Sequence, residues 1–485
     1  MNPIHHLLLR AKVQPNKIAL LDLVDSIDYK QLFILVKKFA RMIELSGIKA
    51  GDVVVTCFPS KLDWIFTNAL FHEACITCSN HGYTPINPSI KVDWVISDNR
   101  IENIPDDKFI LIDQSWIQSA QEVTVVNPVK SYNNDNDLCR LVLTSGTTGE
   151  AKAVGLSLNT LRRRLNSVNS YWCGPGSQIN MMSLATVGGF YSAMYSIMVG
   201  ETFYCVNLAN DVLNVAQRCK VDSVTGSPIQ LSLLVNAAEL LQVKPPTFKE
   251  IRSGGGTLPR SLLHKLAALF EADVFNVYGS TEVGGVYFDL LNKQDSSDCA
   301  GYILNSAQVE VVDENHMPLP LGVDGFIRIK TDGMVHEYFQ NPEATARSFR
   351  EGWFYPGDKG RLMRDGMLVL SGRDSELINL GGVKINPDTI DQFMVDYSGI
   401  EDAAACGLEN KSGIDVLVAA IVVAEGFDIK APHIELLKKF GTSRSPSIFI
   451  RVKEIPRNHM GKVARAQLKK GLANILVQQV GQEII

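Results

Sequence analysis

The densest chemistry in this chain lies between Leu141 and Lys152. An apolar run leads into Thr144, Ser145, Gly146, Thr147, Thr148 and Gly149, each of them small, hydroxylated or glycine. Such a loop can wrap a polyphosphate: glycine lets backbone N–H groups approach an anion, hydroxyls donate hydrogen bonds, and Lys152 adds a positive charge. Taken alone, it has a flexible turn as its lesser alternative. The two glycines lie three residues apart and the lysine three beyond the second, so the loop is not Gly-x-x-x-x-Gly-Lys-Ser/Thr. Ala153 to Leu156 reads as a further strand rather than a helix, which weighs against kinases and ATPases of that kind.

Further segments stand with it: Asn276-Val-Tyr-Gly-Ser-Thr-Glu282, Gly352-Trp-Phe-Tyr-Pro-Gly-Asp358, Gly372-Arg373 with Gly381-Gly382, and Met460-Gly-Lys462-Val-Ala-Arg465. Singly they are weak. Asp358 could serve a turn, Glu282 a helix start, and Lys462 would be taken for a solvated surface lysine. In this order and spacing, however, the chain resembles the superfamily of acyl-CoA synthetases, peptide-synthetase adenylation domains and luciferases. Weaker matches at Ala19 to Tyr29 and Gly47 to Val55 extend the resemblance over nearly the whole chain.

The resemblance implies activation of a carboxylic acid by ATP and Mg²⁺, giving acyl-AMP and pyrophosphate. Two anions must meet in that step, so the site has to supply positive charge and donors where charge develops. On this reading Thr144 to Gly149 and Lys152 hold the β- and γ-phosphates. Gly254, Gly255 and Gly256 form a close wall, Tyr278 lies against the adenine, and Asn276, Gly279 and Ser280 complete that side. Thr281 touches the α-phosphate and Glu282 holds Mg²⁺, a hard ion that prefers oxygen ligands. Asp358 takes the ribose hydroxyls with Arg373 close by. Lys462 is the catalytic cation, a compact charge able to follow the developing negative charge.

An acid pocket is expected from Thr186, Val187, Gly188, Gly189, Phe190, Ser227, Val283, Gly284 and Gly285, with the glycines 254 to 256. Val187 stands where amino-acid-activating relatives carry an aspartate, and burying an ammonium with no anion is costly. An acid without an α-amine follows. Gly188, Gly189, Gly284 and Gly285 suggest open walls with room for an aryl or medium acyl group. Ala151, Leu158, Pro356 and Phe326 depart from the usual pattern, and none removes a group assigned to phosphate, Mg²⁺ or ribose.

The elements that must position these groups alternate strand-like and helical patterns, as at Tyr29 to Leu45 followed by Asp52 to Phe58. This predicts an α/β fold: a large N-terminal domain of layered α/β subdomains, with a small β subdomain over 307–332. A polar loop at Ser371 to Glu376 marks the best boundary, giving domains at 1–374 and 375–485, the second a small, mobile α+β unit. Lys462 lies beyond that boundary, while nearly all the nucleotide residues precede it. In the resembling family the smaller domain delivers the lysine for adenylation and then rotates for thioester formation. Ser375 falls at the hinge position, and Gly381 and Gly382 would approach the pantetheine arm of the thiol.

At 485 residues the chain exceeds a single core. Its net charge of −5 is mixed along the sequence and excludes the basic footprint of a nucleic-acid binder. No apolar stretch suggests a membrane span or signal peptide, so a cytoplasmic enzyme is expected. Nine scattered cysteines fit reduced thiols. His72, Cys75, Cys78 and His81 are metal-ligand types three apart, but no second Cys-x-x-Cys follows, and buried, unmetallated cysteines are expected. The final acceptor is read as CoA, with the phosphopantetheine arm of a carrier protein as the alternative. A nucleotide-binding protein without catalysis is the reading of another class.

Overall fold

The computed structural model describes residues 2–86, 90–125, 127–144, 152–174, 176–241, 243–256, 258–290, 300–374, 378–380, 383–409, 415–457 and 462–478. Helix α1 (Tyr29–Leu45) starts at a capping box in which Asp28 accepts from the Gln31 backbone and the Gln31 side chain answers. It buries a stripe of Leu32, Val36, Phe39, Ala40 and Ile43. Helix α2 (Ser60–His72) is buried from Asp63 through His72, as expected of a helix that is mostly apolar all round.

These helices cover a six-stranded sheet whose members are β1 (Val53–Cys57), β2 (Ile76–Ser79), β3 (Trp94–Ser97), β4 (Phe109–Leu111), β5 (Leu138–Thr144) and β6 (Lys152–Ser157). The order is β4-β3-β1-β2-β5-β6, and every pairing is parallel except β5 with β6. Parallel strands covered on both faces read as continuous apolar runs, and β1, Val-Val-Val-Thr-Cys, is buried at every position. The antiparallel β5–β6 pair ends with Thr144 opposite Lys152. Cys75 and Cys78 fall in different core clusters; burial raises both thiols, that of Cys78 to about 11. His72 pairs with Glu73 at 2.8 Å.

Three further helices follow: α3 (Leu158–Ser167), α4 (Val187–Val199) and, beyond them, α5 (Ala209–Cys219). The second sheet begins with β7 (Gln178–Asn180), β8 (Ser223–Gly226), β9 (Glu250–Gly254) and β10 (Asp273–Ser280), all parallel. Ile179, Val224, Ile251 and Val274 share one face of it, packed under α5, α6 (Pro228–Glu239) and α7 (Arg260–Phe270). The sheet continues antiparallel through β11 (Gly284–Leu290) and β12 (Ala300–Ile303). The small β region, with β13 (Ala307–Val312), β14 (Gly325–Thr331), β15 (Asp358–Leu362) and β16 (Met367–Arg373), has its own core around Val311, Ile327, Ile329 and Leu368. It is hydrogen-bonded into the same sheet, because β16 pairs with β12.

Residues 400–451 build a three-stranded sheet from Ile400–Glu409, Asp415–Val423 and Ile448–Arg451, with α8 (Pro387–Val395) and α9 (Arg465–Gln478) beside it. Alternation along one strand sends Ala403 and Ala405 to one core and Ala404, Cys406 and Leu408 to another. A large N-terminal domain and a smaller C-terminal one result. Among the described residues no helix is long and apolar enough to cross a membrane.

Candidate active site

Two strand ends and one hairpin bring the polar residues together. Asp358 opens β15 and is the direct cross-strand partner of Arg373, the last residue of β16. Arg373 Nε donates to one carboxylate oxygen at 3.0 Å, and the Tyr278 hydroxyl donates to the other at 2.5 Å. Tyr278 comes from β10, in the neighbouring part of the same sheet. Burial, reinforced by the Asp358 charge, pushes its phenol well above the ordinary range, so it stays a donor.

Beyond Tyr278, β10 passes Gly279 and Ser280 and turns at Thr281–Glu282 into β11. Gly279 has to be glycine, since a Cβ there would lie 2.2 Å from the Gly284 carbonyl across the hairpin. The Ser280 hydroxyl is buried without a hydrogen-bond partner among the described residues. Glu282 is buried, and one oxygen accepts from the Tyr338 hydroxyl at 2.7 Å. Tyr338 is raised by burial and then by Glu282. Lys152, at the start of β6, holds its ammonium 4.7 Å from the centre of the Tyr338 ring. Burial lowers the lysine, and the Glu282 charge works against that shift. The Phe339 N–H donates to the Ala153 carbonyl at 2.8 Å, stitching the Tyr338 segment to β6. Thr144 closes β5 opposite Lys152. Ser145 to Gly149 lie outside the described residues.

Arg164 fixes the β10–β11 turn from below. Buried on α3, it donates to the Thr281 carbonyl at 2.7 Å, the Glu282 carbonyl at 2.6 Å, the Gly333 carbonyl at 2.6 Å and the Tyr191 hydroxyl at 2.9 Å. Gly255 turns the chain after β9 with φ +84°, a conformation glycine adopts readily. Asn276 is held inside the sheet by its amide, which donates to the Tyr287 hydroxyl at 3.3 Å.

Several residues expected in the acid pocket are used otherwise. The Thr186 hydroxyl caps α4, accepting from the Gly189 N–H at 3.1 Å and donating to the Ser183 carbonyl at 2.8 Å. Ser227 caps α6 in a capping box with Gln230. The Phe190 ring is fully buried beneath the Arg140 guanidinium, 4.6 Å from its centroid. Val187 opens α4, and Val283 lies in the core of the small β region. The glycines are not open walls: a Cβ on Gly188 would strike the Trp172 ring and one on Gly285 the Tyr171 ring, while one on Gly189 would lie 2.2 Å from the Ser183 carbonyl. Gly284 alone of the four leaves ordinary room, its nearest neighbour being the Tyr171 hydroxyl at 3.7 Å.

Lys462 is exposed and immediately precedes Val463, which bridges to Arg457. Three residues on, Arg465 begins α9 and is clamped inside the C-terminal domain: it donates to the Ala405 carbonyl at 2.6 Å and to Asp391 at 2.6 Å, and pairs with Asp388. Ser375, Gly381 and Gly382 lie outside the described residues.

Comparison with known proteins adds a lineage to this geometry. The family model for AMP-binding enzyme matches residues 8–339. The chain belongs to that family. AMP-binding enzymes similar to it include a 2-succinylbenzoate–CoA ligase of Geobacillus sp. (strain WCH70), 26% identical over 498 residues that span 96% of this chain and 97% of the relative. A 4-chlorobenzoate–CoA ligase of Arthrobacter sp. is 23% identical, spanning 97% and 95% of the two chains. The crystal structure of ATP-bound MatB from Rhodopseudomonas palustris superposes with a TM-score of 0.84 at 20% identity, covering 98% of this chain and all of that one. Both relatives are named as acid–thiol ligases of the AMP-binding family.

Within the family frame, Arg164, Tyr171, Trp172 and Tyr338 are residues that sequence reading missed. Arg164 left one trace, an arginine between Leu161 and Leu165 on the apolar stripe of α3. The other three left none, since aromatic residues before an apolar strand or between Gly333 and Pro342 look like ordinary core.

Proposed function

We propose that the enzyme uses ATP and Mg²⁺ to activate a carboxylic acid lacking an α-amine, with aryl and medium-length acids as the class, and transfers the acyl group to CoA. In the first step a carboxylate oxygen attacks the α-phosphorus, forming acyl-AMP as pyrophosphate leaves. In the second the CoA thiolate attacks the acyl carbon and AMP leaves. The observation that carries the reading is the convergence of Asp358, Arg373, Tyr278, Glu282 and Lys152, drawn from four separate motifs, around one hairpin.

The residues fit the nucleotide. Asp358 retains acceptor capacity for a ribose diol beyond its two partners. The orphaned Ser280 hydroxyl and the half-buried Lys152 ammonium suit phosphate oxygens, which would relieve both an unmade hydrogen bond and a desolvated charge. Glu282, oriented by Tyr338, is the group to hold Mg²⁺, an ion that neutralises phosphate charge when bound. Lys462, carried by the C-terminal domain from 375 onwards, supplies the cation for adenylation and is withdrawn for thioester formation. Relatives that act on 2-succinylbenzoate and 4-chlorobenzoate support an aryl acid and CoA.

Pyrophosphate release across a panel of carboxylic acids, with CoA or with a phosphopantetheinyl carrier protein as acceptor, tests the reading. Acid-dependent release followed by a CoA thioester is expected. ATP binding with no release for any acid would overturn it, and transfer confined to the carrier would replace CoA as the acceptor.

A further inference from the structure

Trp172 fills the space that two of the expected pocket glycines leave. Its indole is wedged between Gly188 at the start of α4 and Gly254 at the end of β9. A Cβ on Gly188 would lie 2.4 Å from one ring carbon, and a Cβ on Gly254 would lie 2.6 Å from another. The indole N–H donates to the Gly188 carbonyl at 2.8 Å, and only 7% of the residue is exposed. Register places Gly254 beside Val277, the residue before Tyr278, so the ring stands next to the nucleotide cluster. Gly188 and Gly254, the two glycines that the ring fits against, are both among the positions expected to line the acid pocket. Tyr171 makes the same use of Gly285, lying 2.6 Å from the position of its Cβ.

We infer that Trp172 is the length stop of the acid pocket and confines the acid to a single unextended ring or an acyl chain of no more than medium length. The inference rests on the acid-activating reading above and deepens it. The ring packs against two backbone segments and is held by a buried hydrogen bond, so it cannot retreat without leaving its own indole N–H unpaired, while the Gly188 carbonyl would keep the Asn180 amide at 3.2 Å. A substrate group reaching it meets packed atoms rather than a gap, and overfilling such a site is penalised. Truncating the ring frees about the volume of one aromatic ring. A hydrophobic pocket altered in this way shifts preference between related substrates by roughly 10- to 100-fold.

The experiment compares kcat/KM for pyrophosphate release with the acid the wild-type enzyme turns over best and with the same acid lengthened by a phenyl ring. It uses wild type, Trp172→Ala and, to guard against misfolding of the first variant, Trp172→Leu, with thermal melts to establish folding. Wild type should strongly prefer the shorter acid, and the ratio should move toward the longer one by roughly tenfold or more in a folded variant. An unchanged ratio in folded, active variants would overturn the inference, as would a wild type that accepts both acids equally. A wild type that releases pyrophosphate with no acid would instead sink the activation reading itself.

Discussion

Asp358 is engaged on both sides before any substrate arrives, by Arg373 and by Tyr278. Asp358→Asn keeps the shape but removes the charge that both donors answer, and hydrogen bonds to charged groups contribute about 1.5–3 kcal/mol each. A loss of roughly 10- to 100-fold in kcat/KM for ATP is expected, read by ATP–pyrophosphate exchange. Lys462→Ala should abolish exchange while leaving CoA transfer from synthetic acyl-AMP nearly intact; equal loss of both would remove the lysine from its proposed step. At this scale the sequence was informative where a motif is short and rigid. Tyr278 and Glu282 stand four residues apart on one hairpin, so naming the motif places both. Tyr338 was illegible because its partner Glu282 is 56 residues away, and no local pattern announces that approach.

The connection between α3 and the β10–β11 turn depends on Arg164, whose guanidinium serves three carbonyls and a hydroxyl in the interior. Arg164→Met would strand the Thr281 and Gly333 carbonyls at about 1–3 kcal/mol for each one left unpaired, while the Glu282 carbonyl keeps the Val335 N–H. A lowered melting temperature and a loss of kcat larger than the change in KM for ATP are expected, since the turn carries Thr281 and Glu282. Gly285→Ala forces a methyl against the Tyr171 ring and should cost about 1–3 kcal/mol. Combining it with Tyr171→Ala should cost less than the sum of the two single changes, a coupling measurable by denaturant unfolding. The glycines were visible in the sequence and their meaning was not. Close approach is the one thing that glycine always permits, but the neighbour that approaches is decided by tertiary packing.

For the molecule as a whole, the alternating α/β pattern and the two-domain division follow from periodicity and composition alone. The continuity of the small β region with the second sheet does not, because the β12–β16 pairing joins strands far apart in the chain. With the pivot at the proposed boundary, Ser375→Pro should leave acyl-AMP formation in place and block thioester formation. Separate assays of pyrophosphate release and CoA thioester check this, and matched loss of both would contradict it. The residues just before that boundary are fastened down. Arg373 sits in the ladder opposite Asp358, the Asp374 N–H donates to the Gly357 carbonyl at 2.9 Å, and the Asp374 carboxylate pairs with Lys359 at 2.7 Å. On the proposed reading, a C-terminal domain that pivots at 375 would turn against an anchor tied into the sheet beside Asp358, the carboxylate assigned to the ribose. Damage to that anchor should therefore be felt twice, as a weaker grip on ATP and as a misaligned second half-reaction.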